Sequence, residues 1–486
     1  MRCGWFRMCL LASTLSVALL PSCQSVVSLT ASRKVELDAC TLQTTKGQVA
    51  VTESVWEDGD GKATIRQRRY ELYNGDEVFF GSTEAQEEVS NACVDSVQVD
   101  AKAGWVRWYD VTLQQWMATN FKPQLIQASC IVLSPESGGE YLIYTPKVYQ
   151  SLGNGTLQHH PEIAGSIQMS VNAAGYRIQV LSDQIPRGCT AEYTIVQSEE
   201  ELFDWAGGKI QNFWKGYTMD GDGKWCYDGY YFPSPDSYVP TGENCYYRLP
   251  AAYLCKSFAY GATYYRVSED LAVATLDVMR QQQNDEGFFP TLPKSQWLSG
   301  TYGIGPGFYD TRFNTDLTEV FYKMSEWIRC DEFDSAMNRY YDFFLSFAKA
   351  NHAETASGGW LVRDYYHPEG GKRTHTSLNH QLAEILSLYH AAGYLDRSDL
   401  GALADRMLLA IEDTAANWIR EDCNLHYAVY PDGSYGGTDY PYLTYNDLYY
   451  LRQYLTEQGR ESAALQKLMD AKLKWMKASG VTGYQI

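Results

Sequence analysis

The chain has 486 residues, of which 45% are hydrophobic and 20% are charged, and its formal net charge is −19. This length is too great for one small domain and allows a large buried core. The acidic balance excludes nucleic acid as an expected partner, and it means that an acidic substrate must be bound by a local basic pocket.

The first 22 residues are predicted to be a lipoprotein signal peptide. Arg2 and Arg7 flank the start of an apolar run, residues 8–20, which is too short for a permanent membrane span. The run ends in Leu-Pro-Ser-Cys, which resembles the bacterial lipobox, so Cys23 is the predicted lipidation site and ordinary secretion is the alternative. We therefore expect the mature chain in the cell envelope, tethered by acyl chains to the outer membrane or the cell surface.

The cysteines after Cys23 show no metal-binding spacing such as paired C-x-x-C motifs. In an oxidising compartment, Cys226 and Cys245 are a plausible disulfide across one loop. Cys255, Cys330 and Cys423 fall in or beside helical patterns and are expected to be buried thiols.

Residues 23–198 are predicted to form a β-rich domain, either a sandwich or a barrel. Short apolar or alternating runs such as 141–144, 167–171 and 176–181 are separated by turn sequences rich in Gly, Asp and Asn. Three tryptophans in this part, Trp105, Trp108 and Trp116, could stack on sugar rings, although packing in the core is the favoured interpretation.

From about residue 199 the apolar period becomes helical, as in Leu317, Val320, Phe321 and Met324. Asn314, Asn379 and Asn446 each begin a predicted helix after a loop, at nearly equal spacing, which indicates a repeated helix pair. The predicted fold is therefore α+β and multidomain, with an incomplete α/α toroid of about four helix pairs over 199–486. The predicted helices are 250–266, 270–283, 314–329, 332–350, 378–392, 399–420, 446–458 and 461–478.

A long loop precedes each predicted helix pair. The loops span 217–247, 303–313, 358–377 and 427–444, and they are rich in Tyr, Gly and Asp. In stacked helix pairs, equivalent loops gather at one end, so these loops are expected to line a shared cleft. Packing between helix pairs is the competing explanation.

Three arginines are candidates for binding a substrate carboxylate. Arg248 and Arg312 lie just ahead of helix starts, where anions are favoured, and Arg363 lies in the third loop. Structural ion pairs are the alternative for each. Asp220 and Asp222 resemble the start of a calcium loop but lack its later ligands, so a solvated turn is favoured and no metal or other cofactor is predicted. His367, His375, His380 and His426 also fall in or beside the loops, without an assigned role.

Residues 439–448 resemble the C-terminal motif of the D-glucuronyl C5-epimerases, in which Asp-Tyr is followed after five residues by Asn-x-Leu. Upstream, Tyr427, the pair Leu378-Asn379, and Asp364 followed by Tyr365 or Tyr366 also resemble that family. The resemblance covers about residues 205–480 and is strongest over about 358–455. It implies a β-rich N-terminal part, an α/α domain, and a uronic-acid-containing polysaccharide or oligosaccharide as the substrate.

The resemblance also implies roles for individual residues. Epimerisation at C5 removes a proton next to a carboxylate and returns one to the opposite ring face, so two acid/base groups must flank the sugar. Tyr440 is expected to be one of them, and Tyr427, Tyr365 or Tyr366 the other. An arginine would neutralise the carboxylate, and the motif residues Asn379, Asn446 and Asp439 are expected at the substrate-binding surface.

The chain departs from the family at three positions, where Tyr430, Pro441 and Thr444 replace an Arg and two His. Three alternatives to the epimerase therefore remain. A polysaccharide lyase would form the same carbanion. A glycoside hydrolase would need two opposed carboxyl groups, for which Asp310, Asp316, Asp364 and Asp439 are candidates. A lipoprotein that binds glycans without turnover is the non-enzymatic alternative.

Overall fold

The computed structural model describes residues 26–29, 35–110, 112–207, 218–219 and 221–485. The predicted signal peptide, Cys23 and Asp220 lie outside the described residues. Strands fill the N-terminal part and helices dominate the C-terminal part, which confirms the α+β class. Within the described part of the chain, no helix combines the length and apolar composition needed to cross a bilayer.

The strands pair into two large sheets and several short ladders. Among the described residues, a thirteen-stranded sheet runs in the order β16-β17-β19-β12-β11-β15-β5-β4-β3-β2, with β10, β7 and β8 branching from β11, and a five-stranded sheet runs β1-β6-β14-β13-β9. The strands are β1 (Val27–Ser28), β2 (Val35–Thr44), β3 (Gly47–Glu57), β4 (Ala63–Glu71), β5 (Glu77–Ala85), β6 (Val89–Val99), β7 (Gly104–Asp110), β8 (Gln115–Asn120), β9 (Gln124–Ile126), β10 (Cys130–Pro135), β11 (Glu140–Gly153), β12 (Thr156–His159), β13 (Gly165–Asn172), β14 (Gly175–Ile185), β15 (Cys189–Ser198), β16 (Lys224–Cys226), β17 (Gly229–Pro233), β18 (Tyr238–Val239), β19 (Cys245–Arg248), β20 (Lys294–Ser295), β21 (Tyr309–Asp310), β22 (His352–Glu354), β23 (Trp360–Val362), β24 (Tyr365–Tyr366), β25 (Thr376–Ser377), β26 (His426–Val429) and β27 (Tyr435–Thr438).

The large sheet is buried on both faces, which explains the continuous apolar runs in its central strands. Successive side chains of a strand point to opposite faces. Ile143 and Ile195 therefore pack against the five-stranded sheet, whereas Leu142 and Val196 face the helical region. The result is a β-sandwich with helices stacked on its outer side, and this sheet continues to β19, beyond residue 198. The predicted domain boundary itself stays a prediction.

The eight helices predicted over 250–478 are all present. The described helices are α1 (Tyr253–Gly261), α2 (Arg266–Arg280), α3 (Gln296–Tyr302), α4 (Thr311–Ser325), α5 (Asp331–Ala350), α6 (Leu378–Tyr394), α7 (Ser398–Thr414), α8 (Leu443–Glu457) and α9 (Ala463–Ala478). The additional helix, α3, is one and a half to two turns long and too short to show an apolar period. The helix predicted over 399–420 ends at Thr414, where the chain tightens into a 3-10 turn over Ala415–Trp418.

The helices form two layers. In the inner layer α4 packs between α1 and α6, and α6 packs against α8; in the outer layer α2, α5, α7 and α9 pack behind their inner partners. This arrangement is the one that an incomplete α/α toroid requires, and the toroid stays a prediction.

Polar contacts join the large sheet to α2. Tyr70 on β4 donates a hydrogen bond to Asp277 Oδ2 at 2.9 Å, and Lys46 Nζ lies 3.0 Å from Glu269 Oε1. One apolar cluster, which includes Tyr70 and Phe80 from the sheet and residues of every helix from α1 to α9, crosses the same junction. The sheet and the helices therefore share a core.

The structure also tests the predicted disulfide and the predicted packing of the tryptophans. Cys226 and Cys245 are both free thiols. Cys226 is buried in a small apolar cluster with Tyr149, Leu157, Tyr231 and Tyr246. The proposed disulfide is therefore wrong in this structure. Trp116 packs in an aromatic cluster with Trp205 at 5.1 Å, and Trp105 is exposed on the sandwich surface.

Candidate functional site

The long loops are joined by short β-ladders. Asp310 of β21 pairs with Tyr365 of β24, which links the second loop to the third. Ser377 of β25 pairs with Ala428 of β26, which links the third loop to the fourth. These ladders bring residues from three loops to one place, at the N-terminal ends of α4, α6 and α8, as predicted from the repeat.

Three tyrosines from these loops, Tyr365, Tyr427 and Tyr440, lie near enough to Asp310 for its charge to act on their phenols. We call the surface formed by Asp310, Trp297, Tyr365, Tyr427 and Tyr440 the loop cleft. The Tyr427 and Tyr440 rings meet edge to face with centroids 5.9 Å apart, and Trp297 meets Tyr365 in the same way at 5.8 Å. Trp297 is 43% exposed and Tyr440 is 46% exposed. Exposed aromatic faces beside a polar floor suit a ligand with both apolar and hydroxyl surfaces.

Asp310 is the N-cap of α4, where its side chain accepts a hydrogen bond from Phe313 N at 3.0 Å. It is only 4% exposed. Burial raises the pKa of Asp310 to about 7, and the charge on nearby Asp364 acts in the same direction. A carboxyl group that changes charge near neutral pH can both take and give a proton, as a general acid or base must.

The cleft tyrosines, in contrast, do not change charge near neutral pH. Burial, with smaller contributions from neighbouring acidic groups that include Asp310, raises the pKa of Tyr365, Tyr427 and Tyr440 above the usual value for a phenol. Arg312 offsets part of this rise at Tyr440. All three phenols are therefore protonated at neutral pH and act first as proton or hydrogen-bond donors.

Two histidines and one aspartate lie next to the cleft. His375 Nδ1 lies 2.9 Å from the Tyr302 hydroxyl, and His375 Nε2 lies 3.2 Å from Asp364 Oδ2, at an angle outside the hydrogen-bonding range. Asp364 also accepts hydrogen bonds from the Ser377 backbone and hydroxyl. Burial favours the neutral acid, but His380, His375 and Ser377 more than offset it, so the pKa of Asp364 lies below its usual value.

His380 lies on the other side of Asp364. Thr311 Oγ1 is 2.8 Å from His380 Nδ1, and burial lowers the pKa of His380 to about 4, so this imidazole is neutral at physiological pH. Sequence reasoning gave His375 and His380 no role. Their position after the third loop was visible, but their pairing with Asp364 depends on how the loop folds back on α6.

The candidate arginines differ in how completely they are paired. Arg312 binds Asp447 through Nη1 and Nη2 at 2.8 and 3.2 Å, and its Nε bonds Asp316 at 2.9 Å. Arg248 pairs with Asp228 at 3.0 Å. Arg363 is buried beside Tyr302 and Asp364, and among the described residues its Nε and Nη1 have no hydrogen-bond partner. Arg363 is thus the arginine with capacity left for an anion.

The predicted asparagines lie in the first turns of their helices. Asn314, on α4, bonds the backbone of Phe289 on both sides, accepting from N at 2.6 Å and donating to O at 2.9 Å. Asn446, on α8, accepts from Gln485 N at 3.0 Å. Asn379, on α6, gives its backbone carbonyl to Arg312 Nη1 at 3.1 Å. Asn314 Nδ2 also donates a hydrogen bond to the Asp310 backbone carbonyl at 3.0 Å. These contacts position the loops and the backbone of Asp310.

Asp439 and Tyr366 are the remaining predicted site residues, and they differ in their position relative to the cleft. Asp439 is buried below Tyr440 and binds Lys472 Nζ at 2.6 Å, while the same Nζ donates to the Tyr440 carbonyl at 2.6 Å. Asp439 therefore fixes Tyr440 in place. Tyr366 lies on the other face of β24 and packs on Phe343 and Phe347, so the structure does not bring it into the cleft.

No metal site is evident in the described residues. They contain no group of three His, Cys, Asp or Glu side chains with the geometry to hold an ion. Asp222 is exposed in its turn. The weak calcium prediction near Asp220 and Asp222 stays untested, since Asp220 is not described.

No family model and no curated protein matches this chain. Solved structures give low similarity. A family 76 glycoside hydrolase from a bovine Bacteroides thetaiotaomicron strain is 10% identical, over 81% of this chain and 75% of that one, with a TM-score of 0.32. The cellobiose 2-epimerase from Spirochaeta thermophila is 12% identical, over 46% and 50% of the two chains, with a TM-score of 0.30.

The unsaturated glucuronyl hydrolase from Bacillus sp. GL1 is 16% identical, over 47% of this chain and 59% of that one, with a TM-score of 0.31. The match thus spans less than two thirds of this hydrolase and of the cellobiose epimerase. TM-scores near 0.3 are too low to assign this chain to the fold or the activity of these enzymes.

Proposed function

We propose that the protein is a carbohydrate-active enzyme that removes and returns a proton at C5 of a uronic acid unit in a glycan. The observation that supports this proposal most directly is Asp310, a carboxyl group with a pKa of about 7 that lies near three protonated phenols. A carboxyl group that titrates near neutral pH, beside phenols that stay protonated, suits a base and an acid acting on one substrate. The motif at 439–448, which resembles the glucuronyl C5-epimerases, supports the same chemistry.

In this proposal Asp310 is the base. Its ionised form takes the C5 proton, and the electron pair delocalises into the adjacent carboxylate. Tyr440 or Tyr427 then donates its phenolic proton to the opposite face of the ring, which inverts C5. The phenol recovers its proton from solvent and Asp310 loses its own, so the enzyme returns to its starting state. The sequence led us to expect two tyrosines as the acid/base pair. Because the tyrosines are protonated, they act here as the acid, and Asp310 replaces one of them as the base.

The substrate carboxylate needs a cation. Arg312 is already bound to two carboxylates, whereas Arg363 has unpaired nitrogen atoms. Arg363 therefore takes the role of the arginine that this chain lacks at position 430. A guanidinium beside the substrate carboxylate stabilises the charge that develops during proton removal.

Oligosaccharides from several uronans, incubated in deuterated solvent, test the proposal by mass spectrometry. Solvent deuterium at C5 without chain shortening is the expected result. Asp310→Asn should lower the exchange rate by about 100- to 10,000-fold, since general acid/base catalysis contributes about that much. Tyr366→Phe is the matched control and should exchange at the wild-type rate. Binding without exchange, cleavage or unsaturation would overturn the enzymatic proposal and leave a glycan-binding protein.

Glycoside hydrolysis is the second candidate, because a carboxyl group with a raised pKa is what the general acid of a glycosidase needs. Asp310 satisfies this requirement. Asp364, however, is 1% exposed and held by Ser377, so it does not reach a substrate as the opposing carboxylate. New reducing ends without unsaturation would select the hydrolase, and ultraviolet-absorbing unsaturated ends would select a lyase.

Export and lipid anchoring at Cys23 are proposed from the N-terminal sequence. Cys23→Ser should move the protein from the membrane fraction to the soluble fraction of the cell envelope, because the variant lacks the acylated thiol. Equal membrane association of wild type and variant would contradict lipidation.

A further inference from the structure

A second concave surface lies next to the loop cleft, between the inner helices α1, α4, α6 and α8. This central cavity has a volume of about 640 Å³. Small-molecule sites are commonly about 300–1,000 Å³, so a cavity of this size accommodates a sugar ring with its water. It is not part of the chemistry assigned to Asp310.

The central cavity adjoins the loop cleft. Arg312 and Asn446 line the cavity, and Arg312 follows Asp310 by two residues at the start of α4. Tyr253, which is exposed, lies near both Asp316, which lines the cavity, and Asp310. A glycan longer than one unit is therefore the kind of ligand that would occupy both surfaces.

Aromatic faces are available inside the cavity as well. Tyr260 of α1 and Tyr450 of α8 both line it and are exposed, and Tyr454 lines the same wall one helical turn from Tyr450. Burial, and next the nearby Tyr260 hydroxyl, raise the pKa of Tyr450, so the two side chains are neighbours. The Tyr260 ring carries Lys323 Nζ at 5.0 Å from its centroid, so Tyr450 is the exposed ring better suited to stacking on the apolar face of a sugar.

The charges that line the cavity do not suit a carboxylate. Arg312 is held by Asp316 and Asp447. Lys256 remains as the other permanent cation, opposite Glu319 and Glu457. Glu319 pairs with His390 through Oε2 at 2.9 Å, and its Oε1 has no hydrogen-bond partner among the described residues. The cavity thus offers acceptors to hydroxyl groups and repels a second uronate.

We propose that the central cavity binds a sugar unit without negative charge, in the same glycan chain as the uronic acid that reacts in the loop cleft. This inference rests on the proposed function for the identity of the ligand as a glycan. The enzyme then recognises a mixed chain, in which an uncharged unit in the cavity places a uronate at Asp310. The enzyme therefore requires a chain of at least two units, because the ligand continues from the cleft into the cavity.

A panel of immobilised oligosaccharides tests the proposal, with chains made of uronates alone, of neutral units alone, and of both. Binding is measured in the Asp310→Asn background, in which turnover is blocked. Mixed chains should bind tightest. Tyr450→Ala should weaken their binding about tenfold, the equivalent of about 1.4 kcal/mol, whereas Tyr264→Ala, an exposed tyrosine outside the cavity, should leave binding unchanged.

A charge reversal provides the second variant. Glu457 is exposed, so Glu457→Lys should fold normally, and it should raise the affinity for all-uronate chains severalfold. The proposal is overturned if Tyr450→Ala binds mixed chains like the wild type, or if all-uronate chains bind the wild type equally well. Deuterium exchange at C5 together with an unaffected Tyr450→Ala variant would reject the cavity and keep the proposed function. Absence of both exchange and binding would reject both proposals.

Discussion

The loop cleft and the central cavity meet at Arg312, but they treat charge in opposite ways. In the cleft, burial raises the pKa of Asp310 to about 7 and keeps the tyrosines protonated. In the cavity, the ionised groups of Arg312, Asp316 and Asp447 are retained by pairing them. The contrast indicates that desolvation is concentrated where a proton is proposed to move, whereas paired charges shape the surface where the ligand is proposed to be held.

The largest change in the free energy of unfolding is expected for a substitution of Arg312, the residue at which the cleft and the cavity meet. Arg312→Met keeps the aliphatic stem but leaves Asp316 and Asp447 without their cation. Removing one partner of a buried ion pair costs about 3–5 kcal/mol, and we expect a loss of this size in the free energy of unfolding, measured with urea. Asp447→Asn in the same background should restore part of it. A loss below about 1 kcal/mol would show that cavity solvent screens these charges and would remove the contrast.

The pH dependence of stability tests the cleft alone. The pKa of Asp310 is near 3.8 in the unfolded chain, and burial raises it to about 7 in the folded chain. The folded state therefore binds the proton more tightly, and its stability falls as the pH rises between these two values. Ionised Asp310 costs on the order of 4 kcal/mol above pH 7.

The variant Asp310→Asn should remove this dependence. Asn also caps a helix well, so the variant should equal the wild type near pH 4 and become more stable than it near pH 8. Urea unfolding at both pH values measures the difference. A difference that is independent of pH would mean that Asp310 is not the group held neutral in the cleft.

A smaller effect is expected for the arginine assigned to the substrate. Arg363→Gln should raise KM for uronate-containing oligosaccharides about tenfold, because one charge-assisted contact is worth about 1.5–3 kcal/mol and glutamine retains part of it. The Kd for neutral oligosaccharides is the matched comparison and should not change, because they carry no carboxylate. Equal changes for uronate-containing and neutral oligosaccharides would indicate a general loss of cleft structure.

The smallest effect is expected for Arg248, which was predicted as an equal candidate. Its partner Asp228 is half exposed in the ion pair. Exposed pairs contribute about 0–1 kcal/mol, so Arg248→Gln should change neither the KM for uronate nor the unfolding free energy beyond that range. A tenfold rise in KM would instead place the carboxylate-binding site at Arg248.

Local patterns in the sequence predicted the helices and the loop cleft. Apolar spacing such as Leu317, Val320 and Phe321 is sufficient to identify α4, and the spacing of the three asparagines identified the repeat. The helix starts were less accurate, because Asp310 caps α4 and Asn314 lies a turn later, holding Phe289. Helix α3 was missed because it is too short for its apolar spacing to be read.

The chemistry of the site was harder to predict because it depends on distant partners. Arg312 meets Asp447, which is 135 residues away in the chain, and Tyr302 meets His375 across 73 residues. The pKa of Asp310 is set by burial, which no local motif reveals. The motif at 439–448 led to Tyr440 and Tyr427, but it could not show that both phenols lie near a neutral carboxyl group.

Because the large sheet and the helices share a core, we expect them to unfold together. Tyr70 and Phe80 belong to one apolar cluster with α1–α9, and Tyr70 is also bonded to Asp277. Neither part can lose its structure without exposing apolar surface of the other. Heating should therefore give one calorimetric peak with equal van't Hoff and calorimetric enthalpies. Separate expression of residues 199–486 should yield an aggregating chain.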